Sequence, residues 1–270
     1  MDESTEEKFE AVRDIVRGKS VLVAFSGGVD STVLAHLSKD VASKVELLTI
    51  TTETVPKIER ERASDIANEL KLPLKVMEYS WLAEKVLASN PKNRCYECKK
   101  RLSQMWIAVA KEMNLEMVIE GTNASEIEGY RPGLEALKQT EVVSPFLKAG
   151  ITKKEIREYA RENGLSIADT PSMACLASRF PYDTEITSEM LENIERIEKE
   201  VMDLFRIDCV RARYHGNLVR IEVDKQYIPQ ITNSESMAKL VKLAKSLGFK
   251  YVTLDLEGYR TGAMDEVVKH

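Results

Sequence analysis

Long hydrophobic runs are missing from this chain of 270 residues. No apolar stretch approaches the roughly 18 residues of a membrane-spanning helix, so no membrane partner is expected. A secretion signal is missing too: the opening MDESTEEKFE is acidic and lacks the basic-then-apolar layout. A cytoplasmic location is therefore expected. Cysteine is scarce, with only Cys95, Cys98, Cys175 and Cys209. A secreted disulfide scaffold would be shorter and denser in cysteine. An excess of positive charge is absent as well. The 39 basic residues are outnumbered by 44 acidic ones, for a net charge of −5, so nucleic-acid binding would require a local basic patch. There is no internal repeat and no low-complexity tract. Against these absences, 43% of the residues are hydrophobic and 31% charged. That composition supports a sizeable core under a solvated surface and argues against disorder.

The first half of the chain alternates strand-like and helix-like stretches. Residues 20–25 (SVLVAF), 45–50 (VELLTI), 74–77 and 117–119 are short apolar runs suited to buried strands. Helices are expected over 4–17, 30–40, 56–70 and the stretch ending at Met113. This rhythm predicts a parallel sheet covered by helices. Thr152 and Glu155 form a capping box for a helix running to Asn163, with Gly164 closing it. The pattern changes after about residue 180. A long amphipathic helix over 187–205 is followed by strands at 207–214 and 218–223, with His215-Gly216-Asn217 as the turn. A helix over 233–247 and a strand over 249–256 complete an αββαβ order, which reads as a small α+β domain. The expected division is residues 1–175 and 176–270, with the linker near 172–182, where Pro171 and Pro181 flank Cys175.

Ser26-Gly27-Gly28-Val29-Asp30-Ser31 follows the first strand and precedes a helix. Two glycines let the backbone turn sharply and approach a ligand. The helix-start N–H groups, the hydroxyls of Ser26 and Ser31 and the helix dipole all favour an anion. A Walker loop is excluded, because no Gly-Lys-Ser/Thr follows. SGGVDS resembles the pyrophosphate (PP) loop of the ATP pyrophosphatases, the group that includes GMP synthetase, NAD synthetase and tRNA-thiolating enzymes. The resemblance implies that the loop binds ATP, that a substrate oxygen is activated as an adenylate with loss of pyrophosphate, and that Asp30 helps to hold Mg²⁺. Ligands of such sheets lie at the carboxyl ends of the strands. Thr51 and Thr52, after the second strand, and Gly121, Thr122 and Asn123, after the fourth, are expected near the nucleotide.

Cys95 and Cys98 form a Cys-x-x-Cys pair near a helix start, where the dipole and Arg94, Lys99 and Lys100 favour thiolates. No second Cys-x-x-Cys exists to complete a four-cysteine zinc site. With Cys175, the pair would give three ligands to a [4Fe-4S] cluster that has one open iron. The alternatives are zinc completed by His215 or Cys209, or unligated thiols. Cys209 reads as a strand spectator on the face of Arg211 and Arg213. Those two arginines, with Arg220, offer forks that match phosphate oxygens. The competing reading is a solvated strand face, which is also the default for the charged helix carrying Glu195, Glu198 and Glu200. Trp81, Trp106 and His36 read as structural.

SGGVDS, NRCYECK, EGTNASE, GYRPGLEAL, SPF with TKKEIR, CLASRFPY and GYRTGAM occur in this order. Together they resemble the LarE-type ATP-dependent sulfur transferases of nickel-pincer nucleotide biosynthesis, over roughly residues 5–265. The resemblance implies a parallel-sheet PP-loop domain of the adenine nucleotide alpha hydrolase kind and a smaller C-terminal α+β domain. It implies adenylation of a carboxylate of pyridinium-3,5-biscarboxylic acid mononucleotide and replacement of AMP by sulfur. It places substrate phosphate at Arg211 and Arg213, and implies assembly of a homo-oligomer through the C-terminal domain. Some members sacrifice the sulfur of the cysteine that matches Cys175. Members that also carry the Cys-x-x-Cys pair are thought to hold a [4Fe-4S] cluster, with an external sulfide or other sulfur donor. A tRNA-thiolating enzyme would share the loop and the cysteines, but the charge balance and the small second domain argue against an RNA partner. An ammonia-delivering synthetase would not need three cysteines, and no glutaminase domain with its own Cys–His pair is visible. An iron–sulfur or zinc binding protein with a vestigial loop is countered by the intact SGGVDS.

Overall fold

The computed structural model describes residues 3–127, 132–171, 173–232 and 235–260. Residues 128–131, 172, 233–234 and 261–264, which belong to motifs or elements singled out above, lie outside that description. In chain order the first elements are α1 (Glu3–Val16), β1 (Ser20–Ala24), α2 (Val29–Val41), β2 (Lys44–Thr51), α3 (Lys57–Leu70) and β3 (Leu74–Glu78). Then come α4 (Lys85–Ala88), α5 (Arg94–Glu112), β4 (Met117–Ile119), α6 (Pro132–Lys138), α7 (Pro145–Lys148) and α8 (Lys153–Glu162). The remainder is α9 (Ser188–Phe205), β5 (Val210–His215), β6 (Leu218–Val223), α10 (Ile228–Ile231), α11 (Glu235–Ser246) and β7 (Tyr251–Leu254). The chain forms two compact units. The first comprises residues 1–52, 57–79 and 93–172, and the second 53–56, 80–92 and 173–270.

The first unit is the expected α/β layer. Its sheet has the order β3-β2-β1-β4 with every pair parallel. Successive residues of β1 point to opposite faces, and both faces are apolar. Val21 and Val23 join a core with Phe9, Leu34, Leu47, Ile156 and Tyr159, under α1, α2, α3 and α8. Leu22 joins another with Leu48, Trp106, Val109 and Val118, under α5. Burial on both faces explains why the strands read as continuous apolar runs. Each such Leu or Val contributes about 1.5–3 kcal/mol when fully buried. The capping box on α8 is formed, with Thr152 Oγ1 accepting from Glu155 N at 3.3 Å and Glu155 Oε2 accepting from Thr152 N at 2.7 Å.

The second unit carries the sheet β5-β6-β7, with β5 and β6 antiparallel and β6 and β7 parallel. Gly216, at φ +66°, makes the hairpin turn. The long helix α9 is capped by the Thr187 hydroxyl, which accepts from Met190 N at 3.3 Å. Two short excursions of the chain complete this unit. Thr54 O accepts from Leu176 N at 2.9 Å, Asn90 O accepts from Asp183 N at 2.9 Å, and Ala88 O accepts from Ile186 N at 2.7 Å. Glu53 ties the two excursions together, accepting from Ser80 Oγ at 2.9 Å and from Trp81 N at 2.8 Å. Burial opposes ionisation of Glu53, yet these donors outweigh it and hold its carboxyl below the usual range. Among the described residues, no helix is long and apolar enough to cross a membrane.

Candidate active site

β1 ends at Ala24, and the chain turns through Ser26, Gly27 and Gly28 into α2, with Gly28 as the N-cap. Gly27 sits at φ +70°, and a Cβ there would lie 2.7 Å from Ala63 Cα and 2.9 Å from Ala63 N. Both the left-handed conformation and the approach of α3 therefore require glycine. The two serines tie the turn to itself. Ser31 Oγ accepts from Ser26 N at 3.2 Å and donates to Gly28 O at 3.1 Å, and Ser26 Oγ accepts from Gly28 N at 3.3 Å. The first amides of α2 have no acceptor within the helix, so the bend presents donors and a positive dipole end to an anion.

The turn after β4 backs this loop. A Cβ on Gly121 would meet Asp30 Cβ at 3.0 Å and Ser31 N at 3.1 Å, so the absence of a side chain lets β4 close on the start of α2. Asn123 is buried, and its Nδ2 donates to Asp30 Oδ1 at 3.2 Å and to Glu126 Oε1 at 2.9 Å. The other oxygen of Asp30 is ion-paired with Lys153, the first residue of α8. Thr122 turns inward, and its hydroxyl donates to Glu120 at 2.8 Å. Thr51 and Thr52 end the neighbouring strand. Thr51 Oγ1 donates to Met77 O at 3.2 Å, and Thr52 O accepts from Arg60 at 3.0 Å. The six loop residues, Gly121 and Asn123 are thus brought together around Asp30. Lys153 and Glu120 join them unannounced. The only sequence signal for Lys153 was its place beside the capping box, at a helix start.

Cys95 and Cys98 are the second and fifth residues of α5, in the same unit. Cys95 is exposed and Cys98 half-buried, whereas Cys175 is exposed and belongs to the second unit. No disulfide joins any of the four cysteines. Among the described residues, no three His, Cys, Asp or Glu side chains are gathered as a metal site. Cys209 falls one residue ahead of β5 rather than within it, and it is half-buried.

The second unit encloses three arginines, Arg179, Arg211 and Arg213. Cys175 caps a single 3₁₀ turn, Leu176–Arg179. Arg179 is fully buried; its Nε and Nη2 donate to the two oxygens of Glu198 at 2.8 and 2.9 Å, and its Nη1 donates to Cys175 O at 3.0 Å. Burial opposes the charge on Arg179, but the adjacent Glu198 outweighs it and raises the pKa. Glu198 also accepts from Ala212 N at 2.8 Å. It is therefore not part of a solvated face, the default reading for its helix. Arg211 and Arg213 are likewise buried, at 1% and 4% exposure, which removes the reading of a solvated strand face. Arg213 donates twice to Glu222 Oε2, at 3.0 and 2.8 Å, and once to Ser178 O at 2.9 Å. Arg211 donates to Val210 O at 2.8 Å and lies 5.1 Å from the centre of the Tyr259 ring. Trp81 and Trp106 are buried, and His36 shares a hydrogen bond of 3.0 Å with the Tyr159 hydroxyl.

A glycine-serine anion loop at the carboxyl end of a central parallel strand, backed by an aspartate at the helix start, defines the PP-loop class of ATP-using enzymes. The family model for the queuosine biosynthesis protein QueC matches residues 20–92, which span the loop. The uncharacterized protein slr1717 of Synechocystis sp. is 36% identical, over 92% of each chain. The uncharacterized protein MJ0830 of Methanocaldococcus jannaschii is 30% identical, over 93% of this chain and 94% of its own. The pyridinium-3,5-bisthiocarboxylic acid mononucleotide synthase of Lactiplantibacillus plantarum is 29% identical, over 96% of this chain and 92% of its own. The chain belongs to the LarE-type family of ATP-dependent sulfur transferases.

Proposed function

We propose that this enzyme converts a carboxylate of pyridinium-3,5-biscarboxylic acid mononucleotide to a thiocarboxylate at the expense of ATP. A carboxylate oxygen attacks the α-phosphorus, the bond to the bridging oxygen breaks, and pyrophosphate leaves into the loop Ser26–Ser31. Sulfide then attacks the activated acyl carbon, and AMP departs with the former carboxylate oxygen. The observation that carries this reading is the loop itself. Its amides and hydroxyls suit a pyrophosphate leaving group, and Asp30, at the helix start, would hold Mg²⁺, which would offset negative charge on the departing group. Thr51, Thr52 and the turn Gly121–Asn123 flank the nucleotide, while Arg211 and Arg213 take the phosphate of the mononucleotide.

The sulfur source is assigned to an external donor. Cys95, Cys98 and Cys175 carry soft thiolates, the donor type that a [4Fe-4S] cluster takes. Such a centre, when bound, supplies a soft position for sulfide. The enzyme works in the cytoplasm as a homo-oligomer without a nucleic-acid partner.

Anaerobic reaction with ATP, the mononucleotide and sulfide should yield AMP and pyrophosphate, and Asp30→Ala should abolish both. Formation of ADP and orthophosphate would sink the adenylation reading. Replacing Cys95, Cys98 or Cys175 with Ala should each remove iron retention and sulfur transfer, with Cys209→Ala near wild type. A wild-type protein that loses one sulfur at Cys175 after turnover, by mass spectrometry, would establish the sacrificial route instead.

A further inference from the structure

Glu120 is a carboxylate immediately after β4, only 4% exposed. A charge in that position is costly unless several donors meet it, and four do. Oε1 accepts from Thr122 N at 3.1 Å and from the hydroxyl of Ser144. Oε2 accepts from the Thr122 hydroxyl at 2.8 Å and lies 3.7 Å from Lys99 Nζ. These donors come from three places: the turn after β4, the N-cap of α7, and the residue next to Cys98 on α5. Lys99 is held from a second side by the Trp106 ring, 5.2 Å away. The turn that Glu120 grips is the one whose Gly121 packs against Ser31 N and whose Asn123 holds Asp30. Thr122 points away from the loop into this carboxylate, so its two donors anchor the turn.

We propose that Glu120 is a positioning residue for the attack on ATP. It locks the turn Gly121–Asn123 so that Asn123 aims Asp30, and through Lys99 it joins that turn to the helix bearing Cys95 and Cys98. It touches no substrate itself. The proposal rests on the reading that ATP reacts at the Ser26–Ser31 loop. Phosphates in the ground state are held by the loop amides, none of which Glu120 bonds to directly. Orientation of Asp30 matters most as pyrophosphate departs. Misplacement of a reacting group by an ångström can cost on the order of a hundredfold in rate, so the defect should fall on kcat rather than on KM.

The test is a double-mutant cycle with Glu120→Gln and Asn123→Ala, read as the rate of ATP consumption under saturating and limiting ATP. Glu120→Gln keeps the size of the side chain and two acceptor positions but loses the charge toward Lys99 and the second acceptor for Thr122. Its kcat should fall about tenfold while KM for ATP changes less than about threefold, and in the Asn123→Ala background the same substitution should add less than about twofold. If Glu120→Gln does not fold, Thr122→Val takes its place in the cycle, with the same direction expected. Losses that multiply independently, or a lowered melting temperature with kcat intact, would overturn the positioning role. The product of the wild-type reaction, AMP or ADP, reports separately on the adenylation reading, because the cycle is measured on ATP loss whichever product forms.

Discussion

Two sets of ion pairs, one in each unit, handle charge in opposite ways. In the first, the pair Asp30–Lys153 at the Ser26–Ser31 loop is partly open to solvent, with side-chain exposures of 23% and 31%. In the second, Arg179–Glu198 and Arg213–Glu222 are almost wholly enclosed. An open pair contributes little to stability but can turn toward a ligand. An enclosed pair is held by mutual neutralisation, and removing one member strands the other in a low-dielectric interior. The loop Ser26–Ser31 of the first unit presents largely backbone donors, whereas Arg179 and Arg213 of the second are already engaged by Glu198 and Glu222.

The sharpest way to break this contrast is to delete one charged partner from each unit's network. Glu198→Ala should destabilise the protein by about 3–5 kcal/mol in urea unfolding, because Arg179 would remain buried without its counter-charge. Lys153→Ala should cost only about 0–1 kcal/mol of stability and yet abolish ATP cleavage. Equal stability losses would erase the distinction. Next in size is Arg211→Ala, expected to weaken binding of the mononucleotide by about 1.5–3 kcal/mol in calorimetry, the scale of a charge-assisted hydrogen bond, with ATP binding spared. Parallel loss of ATP affinity would place Arg211 in the wrong pocket. Gly27→Ala should cost about 1–3 kcal/mol in backbone strain at φ +70°, and should lower ATP affinity more than mononucleotide affinity. The smallest effects concern pH. Burial lowers the pKa of His36 below 6.5. Glu155 is held below 4.5: burial opposes its charge, but the Lys8 and Thr152 donors outweigh it. Both folded-state values lie below the unfolded ones. Each contribution is therefore complete above the unfolded value and lost as pH falls through the folded one. Melting temperatures should decline below pH 6.5 and again below pH 4.5, and Glu155→Gln should flatten the second limb.

Much of the fold was legible because its causes are local. The strand 20–25, expected from an apolar run, ends one residue early because the loop turn begins there. The capping box and glycine closure of α8 stand where short-range chemistry put them: Thr152 caps the helix, and Gly164 follows it at φ +66°. The division of the chain was less legible. Segments 53–56 and 80–92 join the second unit through hydrogen bonds to residues around 176–186, and no composition shift marks them. The charged helix α9 is the plainest case. Glu195, Glu198 and Glu200 look alike in sequence, and only the position of Glu198 opposite Arg179 makes it a buried counter-ion.

By itself the sequence determined a parallel α/β layer, a glycine turn between β1 and α2, and a Cys-x-x-Cys pair at a helix start. Each of these depends on residue type and on spacing over a few positions: apolar period, permitted φ, capping chemistry. Only tertiary structure decided which charges meet. Asp30 meets Asn123 across 93 residues and Lys153 across 123, and Glu120 reaches Lys99 on one side and Ser144 on the other. Such pairs form because sheet order brings the ends of β1 and β4 side by side and α8 beside α2. An ion pair between distant segments leaves no periodicity in the chain from which it could be read.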